Sequence, residues 1–413
     1  MTVEIITVGD EIISGHTIDT NSAFIAQKLA EIGLPVLFKT AVGDDIRHME
    51  EVFSLALKRA DIVIVTGGLG PTDDDVTKRA IVKVFKRNLV FHEDVLEDLK
   101  RRFAERGIEM PSINQNQALL PQGATYLANK TGSAVGIVIE ENGKIFASLP
   151  GVPREMQVMT TEELIPFLKS RSKRGHLKII KLRTTGIMES ALAEIIKPHI
   201  KIPDNIKFAY LPSYGGVDLR IIAESDIKEE TDKSAEQLAS KLRELVGKYI
   251  YGENDDTLEA VVGKLLLDRK RSLATAESCT AGLLSGKITD VPGSSGYYDR
   301  GFVTYTNESK TELLGVPEQT IIDYGAVSSQ TAEAMAVGVR EKARTDYGIA
   351  ITGIAGPDGG TEEKPVGTVF IAVASEKGVV SKKFLMAKDR EINRNRSVYA
   401  ALEMLRRVIL EIE

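Results

Sequence analysis

The stretch Leu273–Gly282, LATAESCTAG, runs from a short apolar segment into Glu277-Ser278-Cys279-Thr280 and then into the small residues Ala281 and Gly282. An apolar helical pattern follows. The reading is a strand that turns sharply into a helix, which makes the last third of the chain α/β. A side chain at such a turn is exposed, and the first N–H groups of the helix lie beside it. Ser278 is therefore a candidate nucleophile, and equally a helix N-cap. Cys279 is the better intrinsic nucleophile, but it also suits a small buried site in the first turn.

The base that would serve Ser278 is constrained by composition. The five histidines (His16, His48, His92, His176, His199) all precede residue 200. A self-contained C-terminal domain then has no Ser-His-Asp triad, Cys-His pair or histidine-ligated metal. A lysine can replace histidine if burial lowers its pKa from about 10.4 to about 7–8. Gly301–Thr306 reads as a strand and Asn307 opens a helix, so Tyr305 and Lys310 flank one strand-to-helix junction. If that strand lies beside the Ala274 strand, both residues reach Ser278. Lys310 would take the Ser278 proton directly or through the Tyr305 hydroxyl. Ser278 would attack an amide carbonyl, and the N–H groups of Thr280 and Ala281 would hold the oxyanion. A third loop follows the strand Ile349–Thr352. It is glycine-rich from Gly353 to Gly360, and Thr352, Gly353 and Gly356 are expected to contact substrate. As a connector it would look the same.

Outward from this centre, the first 168 residues alternate strands (Val3–Val8, Val36–Val42, Asp61–Thr66, Ala134–Ile139, Lys144–Leu149) with helices (Asn21–Ile32, Ile46–Arg59). The pattern predicts a parallel sheet with helices on both faces. Ligands of such sheets sit at the carboxyl ends of the strands, where the polar residues gather. Asp10 follows the first strand, Asp44 the second, and Gly67-Gly68-Leu69-Gly70-Pro71-Thr72-Asp73-Asp74-Asp75 the third. Gly67, Gly68, Gly70 and Thr72 could cradle a phosphate. Asp10, Asp44 and Asp75 could hold a hard divalent cation. Tight turns and helix caps would use the same residues.

Residues 169–175 (KSRSKRG) form a basic connector. Strands at His176–Leu182, Ile206–Leu211 and Asp218–Ala223, with helices at Met188–Ile196 and Lys233–Val246, make a small α+β module. An acidic turn, Gly252–Asp256, separates it from the C-terminal segment. The net charge of −6 leaves no basic footprint for nucleic acid. No apolar run is long enough to cross a membrane, and the N-terminus enters a strand without a signal-peptide layout. One cysteine makes no intrachain disulfide. A cytoplasmic location is expected.

GDEIISG, TNSAFIA, TGGLGPTDDDVTKRA and LPGVPREM resemble the molybdopterin-binding domain family. They resemble still more the form that opens the CinA competence/damage-inducible proteins. That likeness implies a three-layer N-terminal domain (1–170) that hydrolyses ADP-ribose with a divalent metal (Mg, Mn or Co). The cofactor-binding relatives usually have Thr where this chain has Leu69, which favours the CinA branch. The middle module (171–252) falls where that family places a KH-like domain. It lacks a GxxG clamp with basic flanks, so a spacer or dimerisation role is expected, with nucleic acid not a partner.

AESCTAG, GSSGYYDRGFVTYTNESK, GAVSSQTAEAMA and ITGIAGPDGGTEEKPVGTV resemble the nicotinamide mononucleotide (NMN) deamidase domain of CinA/PncC proteins (253–413). The resemblance puts a Ser-Tyr-Lys triad on Ser278, Tyr305 and Lys310, with no cofactor. It implies a homodimeric enzyme of pyridine-nucleotide salvage acting on NMN and ADP-ribose. The alternative expectation is a non-catalytic molybdopterin-binding protein or a competence or DNA-damage adaptor.

Overall fold

The computed structural model describes residues 1–72, 75–105, 107–171 and 176–412. Asp73, Asp74 and connector residues 172–175 lie outside them. The chain divides into two compact units, Met1–Leu177 and Lys178–Glu413.

The first unit is built on strands β1 (Val3–Val8), β2 (Val36–Val42), β3 (Ile62–Thr66), β4 (Leu89–Phe91), β5 (Leu119–Pro121), β6 (Thr125–Leu127), β7 (Gly136–Glu141) and β8 (Lys144–Leu149). Six of them form one sheet in the order β2-β1-β3-β8-β7-β6, while β4 and β5 pair separately. Every residue of β1 and β3 is buried, as befits strands covered on both faces. Ile6 and Val8 pack with Met49, Phe53 and Phe146 on one side. Val3 and Ile5 pack with Ile25, Leu29 and Met156 on the other. That period-two division makes three layers.

β2, β1, β3 and β8 run parallel, whereas β7 runs antiparallel to both β8 and β6. The expected all-parallel sheet therefore acquires an antiparallel edge. The cause is local: Asn142 and Gly143 both adopt left-handed φ (52° and 76°). This is the Asn-Gly signature of a two-residue hairpin, and it folds the run from Gly136 to Leu149 back on itself.

The second unit carries two sheets. β9 (His176–Thr184), β10 (Ile206–Pro212), β11 (Val217–Ser225) and β12 (Ile250–Glu253) lie in the order β10-β11-β9-β12. Helices Glu189–Ile196 and Lys228–Val246 cover this sheet through Leu192, Leu238 and Leu242. The other sheet comprises β13 (Leu273–Glu277), β14 (Tyr298–Val303), β15 (Tyr347–Gly353), β16 (Thr368–Ser375) and β17 (Gly378–Leu385), in the order β14-β13-β15-β16-β17. Helix Ser329–Ala343 packs its Met335, Ala336 and Val339 against Ala274 and Ala276. The opposite face receives helices Leu258–Asp268, Leu283–Thr289 and Arg390–Leu410 through Leu266, Leu284, Leu402 and Leu405.

Candidate active sites

β13 lies between β14 and β15 and runs parallel to both. The residue after β13 thus emerges at the carboxyl ends of three parallel strands. That residue is Ser278, 9% exposed, its N–H bonded to Ile351 O at 3.0 Å. β14 ends at Val303, three residues earlier than the sequence pattern suggests. Thr306 ends the extended run because it caps the next helix reciprocally with Ser309. Thr304, Tyr305 and Thr306 thereby curl around the first helical turn.

Lys310 sits inside that curl and is 1% exposed. Its Nζ lies 3.3 Å from Ser278 Oγ, 2.9 Å from Thr304 O, 3.3 Å from Thr306 O and 3.5 Å from Tyr305 O. No carboxylate among the described residues bonds it to offset its burial, and burial pulls its pKa below the usual lysine value. A neutral amine here donates to two carbonyls and offers its lone pair to the Ser278 hydroxyl. Tyr305 stands differently. Its side chain is 58% exposed, and its hydroxyl is 3.5 Å from an Arg390 guanidinium nitrogen. The Ser278–Lys310 contact is direct, and Tyr305 reaches Lys310 through its backbone carbonyl.

Thr280 and Ala281 belong to a turn that precedes the helix, which begins at Leu283. The Ala281 N–H bonds back to Ser278 O at 3.2 Å, so the expectation that it holds an oxyanion is corrected. The Thr280 N–H has no partner among the described residues. The third loop also differs from expectation. The Thr352 hydroxyl bonds Ala326 O at 2.7 Å. Gly353 is a strand residue opposite Val369, where a Cβ would lie 2.8 Å from that side chain. Both are packing residues. Gly356 has φ 89° and gives its carbonyl to Arg390 at 2.7 Å.

Arg390 and Arg394, one turn apart at the start of the last helix, were not singled out in the sequence. Arg394 bonds Thr280 O at 2.8 Å, and its Nε is buried without a partner. Thr280 Oγ1 and Thr304 Oγ1 are likewise buried and unpartnered among the described residues. Arg394 thus brings a guanidinium with an unsatisfied donor against the turn that follows Ser278. The signal was present in the basic start of that helix (REINRNR), where arginines at i and i+4 share a face. Cys279 is buried, and burial pushes its thiol up to about 11, which removes it as a nucleophile.

In the first unit, Asp10 and Asp44 form a reciprocal pair. The Asp10 N–H donates to Asp44 Oδ2 and the Asp44 N–H to Asp10 Oδ1, both at 3.0 Å. Desolvation, aided by the like charges of Asp10, Glu11 and Asp75, raises the Asp44 pKa. Among the described residues no three acidic, histidine or cysteine side chains converge closely enough to hold a metal by themselves, so the expected trio of Asp10, Asp44 and Asp75 is not assembled; Asp75 is instead held by Thr72. A pair of carboxylates is nonetheless the donor set Mg²⁺ commonly takes alongside water and substrate phosphates. The hard oxygen donors and their mutual repulsion fit such an ion.

The glycine loop is held from within. The Gly67 N–H bonds Leu149 O at 3.1 Å, and the Thr72 N–H and hydroxyl both bond Asp75 Oδ2. Neither is free for phosphate, which corrects two of the expected contacts. Gly68 and Gly70 keep N–H groups without partners among the described residues. A Cβ on Gly70 would lie 2.3 Å from Asp75 Oδ2, so this glycine is what lets the carboxylate approach the loop. Beneath the loop is a residue that sequence reasoning missed. Lys78 is 9% exposed and reaches Gln117 Oε1 at 2.9 Å, and Gln117 Nε2 holds Leu69 O at 2.9 Å. Burial lowers the Lys78 pKa to about 8.

No helix among the described residues is long and apolar enough to cross a membrane. Comparison with known families places a probable molybdopterin binding domain at residues 4–170, a damage-inducible protein CinA KH domain at 181–252 and a CinA C-terminal domain at 255–409. The chain is 43% identical to a putative competence-damage inducible protein of Caldicellulosiruptor bescii, with 100% of each chain covered. It is 42% identical to one from Acetivibrio thermocellus over the same coverage. Among solved structures, the competence/damage inducible protein CihA from Agrobacterium tumefaciens is 41% identical, with TM-score 0.35, covering 36% of this chain and 94% of that one. The protein CinA of unknown function from Thermoplasma acidophilum is 34% identical, with TM-score 0.37, covering 40% and 97%.

Proposed function

The chain belongs to the CinA family, and from that premise we propose that the Ser278 centre is an amidohydrolase. It converts the carboxamide of NMN to the carboxylate of nicotinic acid mononucleotide and releases ammonia. The observation that carries this reading is a fully buried lysine amine 3.3 Å from a serine hydroxyl at the carboxyl ends of three parallel strands. Neutral Lys310 accepts the Ser278 proton as Oγ bonds to the amide carbon. The Thr280 N–H stabilises the resulting oxyanion. The C–N bond breaks as Lys310 returns the proton to the leaving nitrogen. Water, deprotonated in turn by Lys310, then cleaves the ester and restores Ser278. The guanidiniums of Arg390 and Arg394 supply the positive charge a nucleotide phosphate requires, and Tyr305 stands beside Arg390.

The first unit is assigned a second activity, hydrolysis of ADP-ribose to AMP and ribose 5-phosphate. Asp10 and Asp44 would hold a divalent ion (Mg, Mn or Co), and Gly68 and Gly70 would face the pyrophosphate. The ion would neutralise charge on the phosphate oxygens. Both substrates are ribosyl phosphates derived from a dinucleotide, which makes one chain carrying both activities chemically coherent.

The test is ammonia release from NMN by the purified protein in EDTA, beside Ser278→Ala. Release by the wild type alone is expected. No release from folded wild type, or equal release from Ser278→Ala, would overturn the assignment.

A further inference from the structure

The residue preceding the nucleophile is a fully buried carboxylate. Glu277 closes β13 and is 0% exposed. It accepts four hydrogen bonds. Oε2 takes the N–H groups of Gly282 and Leu284, each at 3.0 Å. Oε1 takes the N–H and hydroxyl of Ser285 at 2.8 and 2.6 Å. Both oxygens are thus doubly satisfied, which is what a buried anion requires. The helix donors that an oxyanion might have used are consumed by the chain's own carboxylate.

The anchorage extends further. Ser285 Oγ lies 2.9 Å from Thr275 Oγ1, which lies 2.8 Å from the Tyr298 hydroxyl. These three hydroxyls meet over Gly301, where a Cβ would stand 2.4, 2.5 and 2.8 Å from Ser285, Tyr298 and Thr275 respectively. The turn being held is not one the chain adopts readily. Ala281 and Gly282 are both left-handed, at φ 49° and 90°, and for Ala281 that conformation costs about 1 kcal/mol.

We propose that Glu277 is a positioning residue for the Ser278 centre. Its carboxylate, backed by Ser285, Thr275 and Tyr298, holds the 278–282 turn so that Ser278 Oγ stays within reach of Lys310. The proposal rests on the reading of Ser278 as nucleophile.

The test uses the full-length wild type, Glu277→Gln and Ser285→Ala. Ser278 labelling by a fluorophosphonate is followed by intact mass, alongside kcat, KM and the pH–rate profile for ammonia release from NMN. In Glu277→Gln an amide NH₂ faces N–H donors and the turn loosens. The expected result is a ~100-fold loss in labelling rate and kcat, with KM within about threefold of the wild type. The acid limb of the profile stays in place, because the carbonyls around Lys310 are untouched. Ser285→Ala removes one donor of the four, and ~5-fold losses with unchanged KM are expected.

A folded Glu277→Gln that reacts at the wild-type rate overturns the proposal. So does a displaced acid limb with an unchanged limiting rate, which would mean that Glu277 acts on the titration of Lys310. If Glu277→Gln fails to fold, unchanged rates in Ser285→Ala overturn it. Wild type that is labelled but releases no ammonia from NMN sinks only the substrate assignment, and labelling rates still decide the role of Glu277. Wild type that is neither labelled nor active overturns both.

Discussion

Two buried lysines carry the pH predictions that follow from this structure. In the proposed reaction Lys310 would act as a base only when neutral, and its burial lowers the pH at which it becomes so. Ammonia release is therefore expected to rise with pH along an acid limb that lies below the ordinary lysine pKa of about 10.4. Lys310→Arg places a permanent charge at the same point, and a loss of at least ~10³-fold at every pH is expected. A pH series from 6 to 10 on both proteins checks this. Lys78 affects stability instead. Its pKa falls to about 8 in the native state. Between pH 8 and about 10.4 the unfolded chain keeps a proton that the native state has lost, so stability rises with pH through that window. The full shift corresponds to ~3 kcal/mol. Urea unfolding followed by circular dichroism should show a rise over this range in the wild type that Lys78→Met lacks.

At the level of elements, most of the fold was legible. β1 and β2 and the helix Ile46–Arg59 lie where the apolar periodicity put them. In the helix the buried residues Met49, Phe53 and Ala56 recur at helical spacing, while β1 reads as a largely apolar run because it is buried throughout. The reversal of β7 against β8 was not read from its apolar runs, although Asn142-Gly143 announced it. Replacing Gly143 by Ala puts a Cβ at φ 76° with open space around it. The cost is then purely conformational, about 1 kcal/mol. A lower urea midpoint for the Gly143→Ala protein, with unchanged ammonia release, is the expected outcome. The early end of β14 was missed for a comparable reason. The Thr306–Ser309 cap competes with the strand, and sequence pattern alone does not say which prevails.

For the whole molecule, the two candidate sites lie in separate compact units with separate cores. Their activities should therefore respond independently. Chelation is expected to abolish ADP-ribose hydrolysis and leave ammonia release intact. Asp75→Ala should lose the first activity and its metal response, because its carboxylate holds Thr72 in the glycine loop. Paired assays on one preparation check this, and loss of both activities in either experiment would argue against two sites.

The candidates for the proposed Ser278 centre were legible in the order of residues. With every histidine before residue 200, a serine at a strand-to-helix turn calls for another base; lysine can serve, and Lys310 follows the next strand. The placement of β14 and β15 on either side of β13 was not in that order, because strand adjacency depends on contacts far apart in the chain. The roles of individual donors were equally undetermined. The first N–H groups of helix Leu283–Thr289 read as free until folding set the Glu277 carboxylate against them. Thr352 read as a ligand residue until Ala326 came within 2.7 Å of it. A sequence names which groups can form hydrogen bonds. Only packing decides which bonds are already made, and so which groups remain for a substrate.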